Sequence, residues 1–378
     1  MNIPLSSPDI TQKEIDSVVA VLKTPSLSLG PKLPEFEKKF AEYIGTKHAI
    51  AVNSGTSGLH LCIRALDIKD GDEVITTPFS FIASSNCVLF ERAKPVFIDI
   101  REDTLNIDEN KIEKAITKRT KAILPVHVFG YPCDMTKLTK LAKKHKLAVI
   151  EDACEAIGAK IDDKQAGTYG KCSVFAFYPN KQMTTGEGGI IVTDDGKIAR
   201  LIRSMRNQGR DESMSWLKHN RLGYNYRLSD INCALGIAQL ERIEEILAKR
   251  KKVAREYNAC LSGIDEIVLP PLGGKGLRRS WFVYVIRLKE QFSAAQRDKL
   301  IRLLRDDGIG CNVYFPAIHL QPLYRDEFGY QRGIFPKAEA VADRTIALPF
   351  FNNLKTEAIK KVAASLKKNI RKVNKYES

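Results

Sequence analysis

The chain has 378 residues, of which 44% are hydrophobic and 28% charged, and it carries a net charge of +15. That length exceeds one average domain and predicts about two, while no stretch approaches the roughly 18 consecutive apolar residues of a membrane span. The opening segment, MNIPLSSPDITQKEID, has neither a basic start nor an apolar signal core, so a cytoplasmic protein is expected.

The positive charge is compatible with an anionic partner, but its clusters, such as AKKHK and KKNIRKVNK, read as solvated helix faces or tails. Eight cysteines (Cys62, Cys87, Cys133, Cys154, Cys172, Cys233, Cys260, Cys311) are scattered singly, without a CxxC pair. Neither a disulfide framework nor a metal site is expected from that pattern.

In chain order, seven short apolar runs read as strands: 48–52, 73–77, 95–100, 121–129, 147–152, 172–177 and 188–193. Most are separated by segments long enough for a crossover helix, such as SGLHLCIRAL and MTKLTKLAKKHK. This is the βαβ pattern of an α/β domain with a mostly parallel sheet buried on both faces. From Ser229, SDINCALGIAQLERIEEILAKRKKVAREYNACL reads as one long helix with a serine cap and with Leu240, Ile243 and Leu247 at helical spacing. A Gly/Pro-rich stretch, LPPLGGKGLRRS, then leads into WFVYVIRL, a helical pattern over 293–307, and GCNVYF. These predict a smaller α+β domain over 246–378 beside a large domain over 1–245, with Trp281 in the smaller core.

Three segments carry chemistry. In VNSGTSGLHL, Gly55 and Thr56 lie between a strand and a helix start, which is either a plain βα turn or a phosphate site built from free N–H groups. In AVIEDACEAIGA, Asp152 ends a parallel strand, where a carboxylate either caps a helix or meets a cationic ligand group. In FAFYPNKQMTTGEGGIIVT, Lys181 stands between two apolar runs; it is either a nucleophilic amine in a desolvated setting or a loop lysine reaching for solvent. A phosphate cup, a strand-end acid and a pocket lysine together match what pyridoxal 5'-phosphate requires.

Through nearly its whole length the chain resembles the DegT/DnrJ/EryC1/StrS sugar aminotransferases, which have the aspartate aminotransferase-like fold (type I) and depend on pyridoxal phosphate. The resemblance is carried by LSLGPKLPEFEKKFAEYIG, NSGTSGLHL, GDEVITTPFSFIAS, AKPVFIDI, ILPVHVFGYPCDM, IEDACEAIGA, FYPNKQMTTGEGG and LGYNYRLSDINCALGIAQLERI. It implies a seven-stranded large domain, Lys181 as Schiff-base lysine and proton shuttle, and Asp152 as partner of the pyridine nitrogen. It further implies Phe81 stacked on the ring, Glu155 beside its phenolic oxygen, and Gly55 and Thr56 at the phosphate. Asn225 would reach the phosphate from a neighbouring subunit, which implies a homodimer with shared active sites. One departure is Ala176, where the family commonly has a serine that binds the phosphate.

Because Lys181 is retained where dehydratase members carry histidine, the resemblance implies a transaminase. L-glutamate would load the cofactor as pyridoxamine 5'-phosphate, and a nucleotide-linked ketosugar would accept the amino group. TTGEGG and LGYNYRLSDINCALGIAQLERI are most similar to perosamine synthase-like members acting at C4, though C3 and cyclitol enzymes share much of the pattern. Tyr314 and His319 either line the sugar–nucleotide pocket or belong to the core. Other classes remain as alternatives: a basic DNA-binding regulator, for which no convincing helix-turn-helix is present, a relative holding the cofactor without catalysis, and a cysteine desulfurase, for which no catalytic cysteine stands out. Neither nucleic acid nor membrane is expected as a partner.

Overall fold

The computed structural model describes residues 2–211, 218–274 and 276–374. Seven strands, β1 (His48–Val52), β2 (Glu73–Thr76), β3 (Lys94–Phe97), β4 (Thr120–Ile123), β5 (Ala148–Asp152), β6 (Cys172–Ala176) and β7 (Gly189–Thr193), form one sheet in the order β1-β7-β6-β5-β4-β2-β3. The pairs from β6 to β3 are parallel, and β7 alone is inserted antiparallel between β1 and β6. Helices cover both faces, which is why these strands read as continuous apolar runs without alternation.

The expected strands therefore appear nearly where the apolar runs place them. Two runs are cut short: 95–100 ends as a strand at Phe97, and 121–129 departs furthest, because β4 stops at Ile123. Pro125 has no N–H to continue a ladder; its carbonyl accepts the amide of Asp152 at 3.0 Å, and the chain then turns with Phe129 at φ 53°. This corner carries residues 127–131 across the end of β5.

The single helix expected from Ser229 is two, Asp230–Leu240 and Ile243–Leu261. Ser229 does cap the first, its Oγ accepting the amide of Asn232 at 3.2 Å. The break falls at Arg242, whose guanidinium turns inward to the fully buried Glu14 at 2.8 Å and to Asp9 at 3.4 Å. The Glu14 carboxylate also accepts the amide and hydroxyl of Thr11 and the side-chain amide of Gln239, so the break lies at a buried ionic cluster.

The second helix joins the two cores. Its first turns, with Ile243, Ile246 and Leu247, pack with the large sheet, and Val253, Ala254, Tyr257 and Leu261 pack in a separate cluster with Trp281 and Leu300. That cluster sits on an antiparallel sheet of β8 (Ile267–Val268), β9 (Tyr284–Leu288) and β10 (Thr345–Leu348). The chain's first residues join this smaller core: Ile3 bridges Ile309, and Leu5 accepts the amide of Phe350 at 2.9 Å. Gly310 permits the approach, since a Cβ there would lie 2.5 Å from the backbone nitrogen of Leu5. Residues 3–5 thus pack with the C-terminal domain although they precede the large one.

Candidate active site

The carboxyl ends of β5 and β6 and the chain leaving β1 meet at one place. After β1, Ser54 caps the helix Gly55–Ala65 by accepting the amide of Ser57 at 3.0 Å. The first-turn N–H groups of Gly55 and Thr56 have no intrahelical carbonyl to meet, and the positive end of the helix dipole reinforces them. The helix start lies directly on the strand ends: a Cβ on Gly55 would be 2.8 Å from the Cβ of Ala176 and 3.0 Å from the Sγ of Cys154. Only glycine allows that approach.

The last two residues of β5 face opposite sides of the sheet, as successive strand residues must. Glu151, fully buried, accepts the amides of Gly167, Tyr169 and Gly170 and pairs with His127 Nε2 at 3.1 Å. Burial alone would push its carboxyl up, but His127 and those amides hold it below the ordinary range. It organises a loop. Asp152, also buried, accepts Ser84 Oγ at 2.7 Å and the amide of Cys154 at 3.1 Å.

Lys181 leaves the turn after β6, its amide donating to the carbonyl of Tyr178 at 2.9 Å. Its side chain is 13% exposed, with Nζ 3.5 Å from Oε1 of Glu155 and 3.8 Å from the centroid of the Phe282 ring. The lysine is therefore directed inward. Glu155 is buried as well and accepts the amide of Phe129 at 2.8 Å, the residue held at positive φ. Burial pushes the Glu155 carboxyl up, with the Lys181 ammonium pulling the other way.

Tyr314 belongs to this neighbourhood. Its hydroxyl accepts Nδ2 of Asn180 at 3.3 Å, and its ring stacks on Phe315 and Phe282. Burial, with the charge of Glu155 behind it, pushes the phenol up. Phe81 is 59% exposed, its ring 6.4 Å from that of Phe315, so an aromatic face is open at this end of the sheet. Asn225 is exposed, with its carbonyl 3.4 Å from Nδ2 of Asn53, two residues before Gly55. His319 is not brought to Lys181; it is fully buried, with Nε2 3.0 Å from Glu339 and its ring edge against Phe335.

Three contributors escape a sequence reading: Phe282, whose ring meets the Lys181 amine, Arg250 and Ser84. Arg250 is buried and donates to the carbonyls of Trp281 at 2.7 Å, Phe282 at 2.8 Å and Asn180 at 3.4 Å, and to Asn352 Oδ1 at 2.7 Å. It ties together the residue before Lys181 and the ring beneath its amine. Within LAKRKKVAREY it looks like one more solvated cation, yet it continues the stripe of Ile243, Ile246, Leu247, Val253 and Tyr257, which was the available signal. Ser84, in the run FIASSN, gives no signal of its contact with Asp152.

A sequence model of the DegT/DnrJ/EryC1/StrS aminotransferase family matches residues 8–367. The chain belongs to this family. It is 42% identical over 324 residues to the GDP-perosamine synthase of Caulobacter vibrioides, covering 85% of this chain and 86% of that one. It is 36% identical to the spore coat polysaccharide biosynthesis protein SpsC of Bacillus subtilis over 376 residues, covering 97% and 96%. Helicobacter pylori PseC, an aminotransferase of pseudoaminic acid biosynthesis, superposes with a TM-score of 0.93 at 31% identity over 98% of this chain and all of that one. The pyridoxamine-phosphate form of the putative sugar aminotransferase Spr1654 from Streptococcus pneumoniae gives 0.94 at 28% identity, over 98% and 100%.

The chain is thus a pyridoxal phosphate-dependent sugar aminotransferase, and the residues present fit that cofactor. The glycine-tight helix start suits a phosphate, and Asn180 Oδ1 is buried without a partner beside the lysine. An inward amine and a buried, hydrogen-bonded carboxylate complete the donor set a phosphorylated pyridine aldehyde requires.

Proposed function

We propose that this protein transfers the amino group of L-glutamate to the C4 keto group of a nucleotide-linked 4-keto-6-deoxy sugar destined for a cell-surface polysaccharide. The observation that carries the reading is Lys181 itself, an inward amine held between Phe282 and Glu155 beside the strand that ends in Asp152. When bound, pyridoxal phosphate supplies an electron sink that lets an amino acid lose its α-proton. The work of the chain is to bind, orient and move protons.

In this reading the helix start at Gly55 and Thr56 would hold the phosphate, Phe81 would cover one ring face, Asp152 would keep the ring nitrogen protonated, and Glu155 would lie beside the phenolic oxygen. Lys181 would hold the cofactor covalently; once free, its Nζ would carry a proton from the α-carbon of glutamate to C4′ of the cofactor, and in the second half-reaction from C4′ to the sugar carbon. The Phe282 ring would shield one side of that amine from water. Likeness to a GDP-perosamine synthase favours a GDP-linked sugar and C4, with C3 amination as the nearest alternative. We also propose a cytoplasmic homodimer in which Asn225 reaches the partner's phosphate site; the exposure of Asn225 leaves it open to such a contact.

The test is in two stages. Purified protein loaded with pyridoxal phosphate should be yellow and bleach on addition of L-glutamate with release of 2-oxoglutarate. The bleached protein should then convert GDP-4-keto-6-deoxymannose to the amino sugar, identified by mass and by NMR assignment of the aminated carbon. A protein that stays yellow with glutamate, or aminates only a C3 ketone, overturns the corresponding part.

A further inference from the structure

Behind Asp152 stands a pair of buried hydroxyls. Ser84, in the helix Ala83–Leu89, is 1% exposed, and its Oγ lies 2.7 Å from Oδ2 of Asp152. Four residues earlier, ahead of the helix, the buried Ser80 places its Oγ 2.7 Å from that of Ser84. Ser84 donates its one proton to Asp152, so in the contact between the two serines Ser80 is the donor. The carbonyl of Phe81, 3.2 Å from Ser80 Oγ, is a second, longer acceptor for the same Ser80 proton.

Two hydroxyl dipoles therefore align toward Oδ2, and hydrogen bonds in such a chain strengthen one another. The other oxygen, Oδ1, is held by the amide of Cys154 at 3.1 Å. A carboxylate bonded at both oxygens is fixed in rotation, and each oxygen keeps a lone pair for one more donor.

We infer that Ser84 is a positioning residue for Asp152, with Ser80 completing the relay, and that it fixes the carboxylate for the ring nitrogen of the cofactor. The inference rests on the reading that Asp152 meets that nitrogen. Neither serine touches the reacting atoms. Loss of one charge-assisted bond of this kind corresponds to about tenfold or more in affinity.

The experiment strips cofactor from the full-length protein and titrates it with pyridoxal phosphate and, separately, with the 1-deaza analogue, in which the ring nitrogen is a C–H. The unaltered protein should prefer pyridoxal phosphate. Ser84→Ala should lose about tenfold in affinity for pyridoxal phosphate and little for the analogue, Ser84→Thr should restore the preference, and Ser80→Ala should show a smaller loss with the same selectivity. Equal losses for both ligands would reduce Ser84 to packing and overturn the inference, as would an unchanged affinity. Should Ser84→Ala not fold, the selective loss expected of Ser80→Ala decides. An unaltered protein that binds both ligands equally would instead overturn the reading of Asp152, and with it the role of Ser84.

Discussion

The Nζ of Lys181 rests 3.8 Å from the centroid of the Phe282 ring, and the carbonyl of that same phenylalanine is gripped by the buried Arg250 at 2.8 Å. The buried ring is a wall against the amine, on a backbone held by Arg250. An aromatic face attracts an ammonium by about 0.5–2 kcal/mol, and it excludes water from the lysine in either protonation state. Phe282→Leu should lower kcat about tenfold with KM for the ketosugar nearly unchanged, because proton transfer suffers and sugar binding does not. Lys181→Ala should abolish turnover, a loss well beyond the roughly 10²–10⁴-fold of proton transfer alone. Steady-state amination kinetics check both; substantial turnover by Lys181→Ala removes the lysine from the mechanism.

Glu155 carries a stability cost whose sign follows from its environment. Burial raises its folded-state pKa above the ordinary carboxylate value of 4.5, despite the opposing charge of Lys181. Below that value both folded and unfolded chains are protonated and no cost arises. As pH rises through the window up to the folded value, the unfolded chain ionises first, and stability is lost and stays lost at neutral pH. Glu155→Gln should therefore raise the urea midpoint of the cofactor-free protein at about pH 8 and change it little at about pH 4. An equal midpoint at the higher pH would contradict the burial argument.

His319 gives the opposite slope. Burial holds its imidazole below the ordinary value of 6.5, and the partner Glu339, despite its own burial, is held low by the amides of Gly333 and Phe335 and by His319. Both groups contribute stability that is present above their ordinary values and lost as pH falls through them. His319→Gln should flatten the loss of thermal stability between about pH 7 and about pH 5 and leave KM for the nucleotide sugar unchanged. A KM raised several-fold would return His319 to the substrate pocket.

What could be read in the sequence follows a physical rule. Strands β1 to β7 were legible because burial on both faces demands unbroken apolar runs, and Asp152 and Lys181 stood out as charges interrupting them. Breaks imposed by distant partners were not legible. Nothing near Arg242 announces that its partner will be Glu14, over two hundred residues earlier, at the point where the helix breaks. Ser84, Arg250 and Phe282 act on the site through contacts at large sequence separation, and a serine or arginine carries no local pattern that distinguishes such a contact from a solvated surface. His319 shows the converse, a residue type suggestive of chemistry that the fold commits to a buried pair with Glu339.

In the proposed reading the helix start at Gly55 and Thr56 holds the cofactor's phosphate. Ala176 supplies no hydroxyl, and its Cβ lies 2.8 Å from where a side chain on Gly55 would begin. A serine at 176 would therefore present its hydroxyl beside the first turn of the helix Gly55–Ala65, within reach of a phosphate bound there. Ala176→Ser should tighten pyridoxal phosphate binding by about tenfold, the worth of one charge-assisted hydrogen bond, in a titration of cofactor-free protein. Gly55→Ala should do the reverse, because its methyl group must displace Ala176 or the Sγ of Cys154 and shift the N–H groups that face the phosphate. The two residues share one contact, so their effects should not add: Ala176→Gly placed in the Gly55→Ala background should recover part of the lost affinity. Recovery would place the defect in the crowding of two methyl groups; its absence would place it in the backbone of the helix start, which the Cβ of residue 55 would then disturb even with the opposing methyl removed.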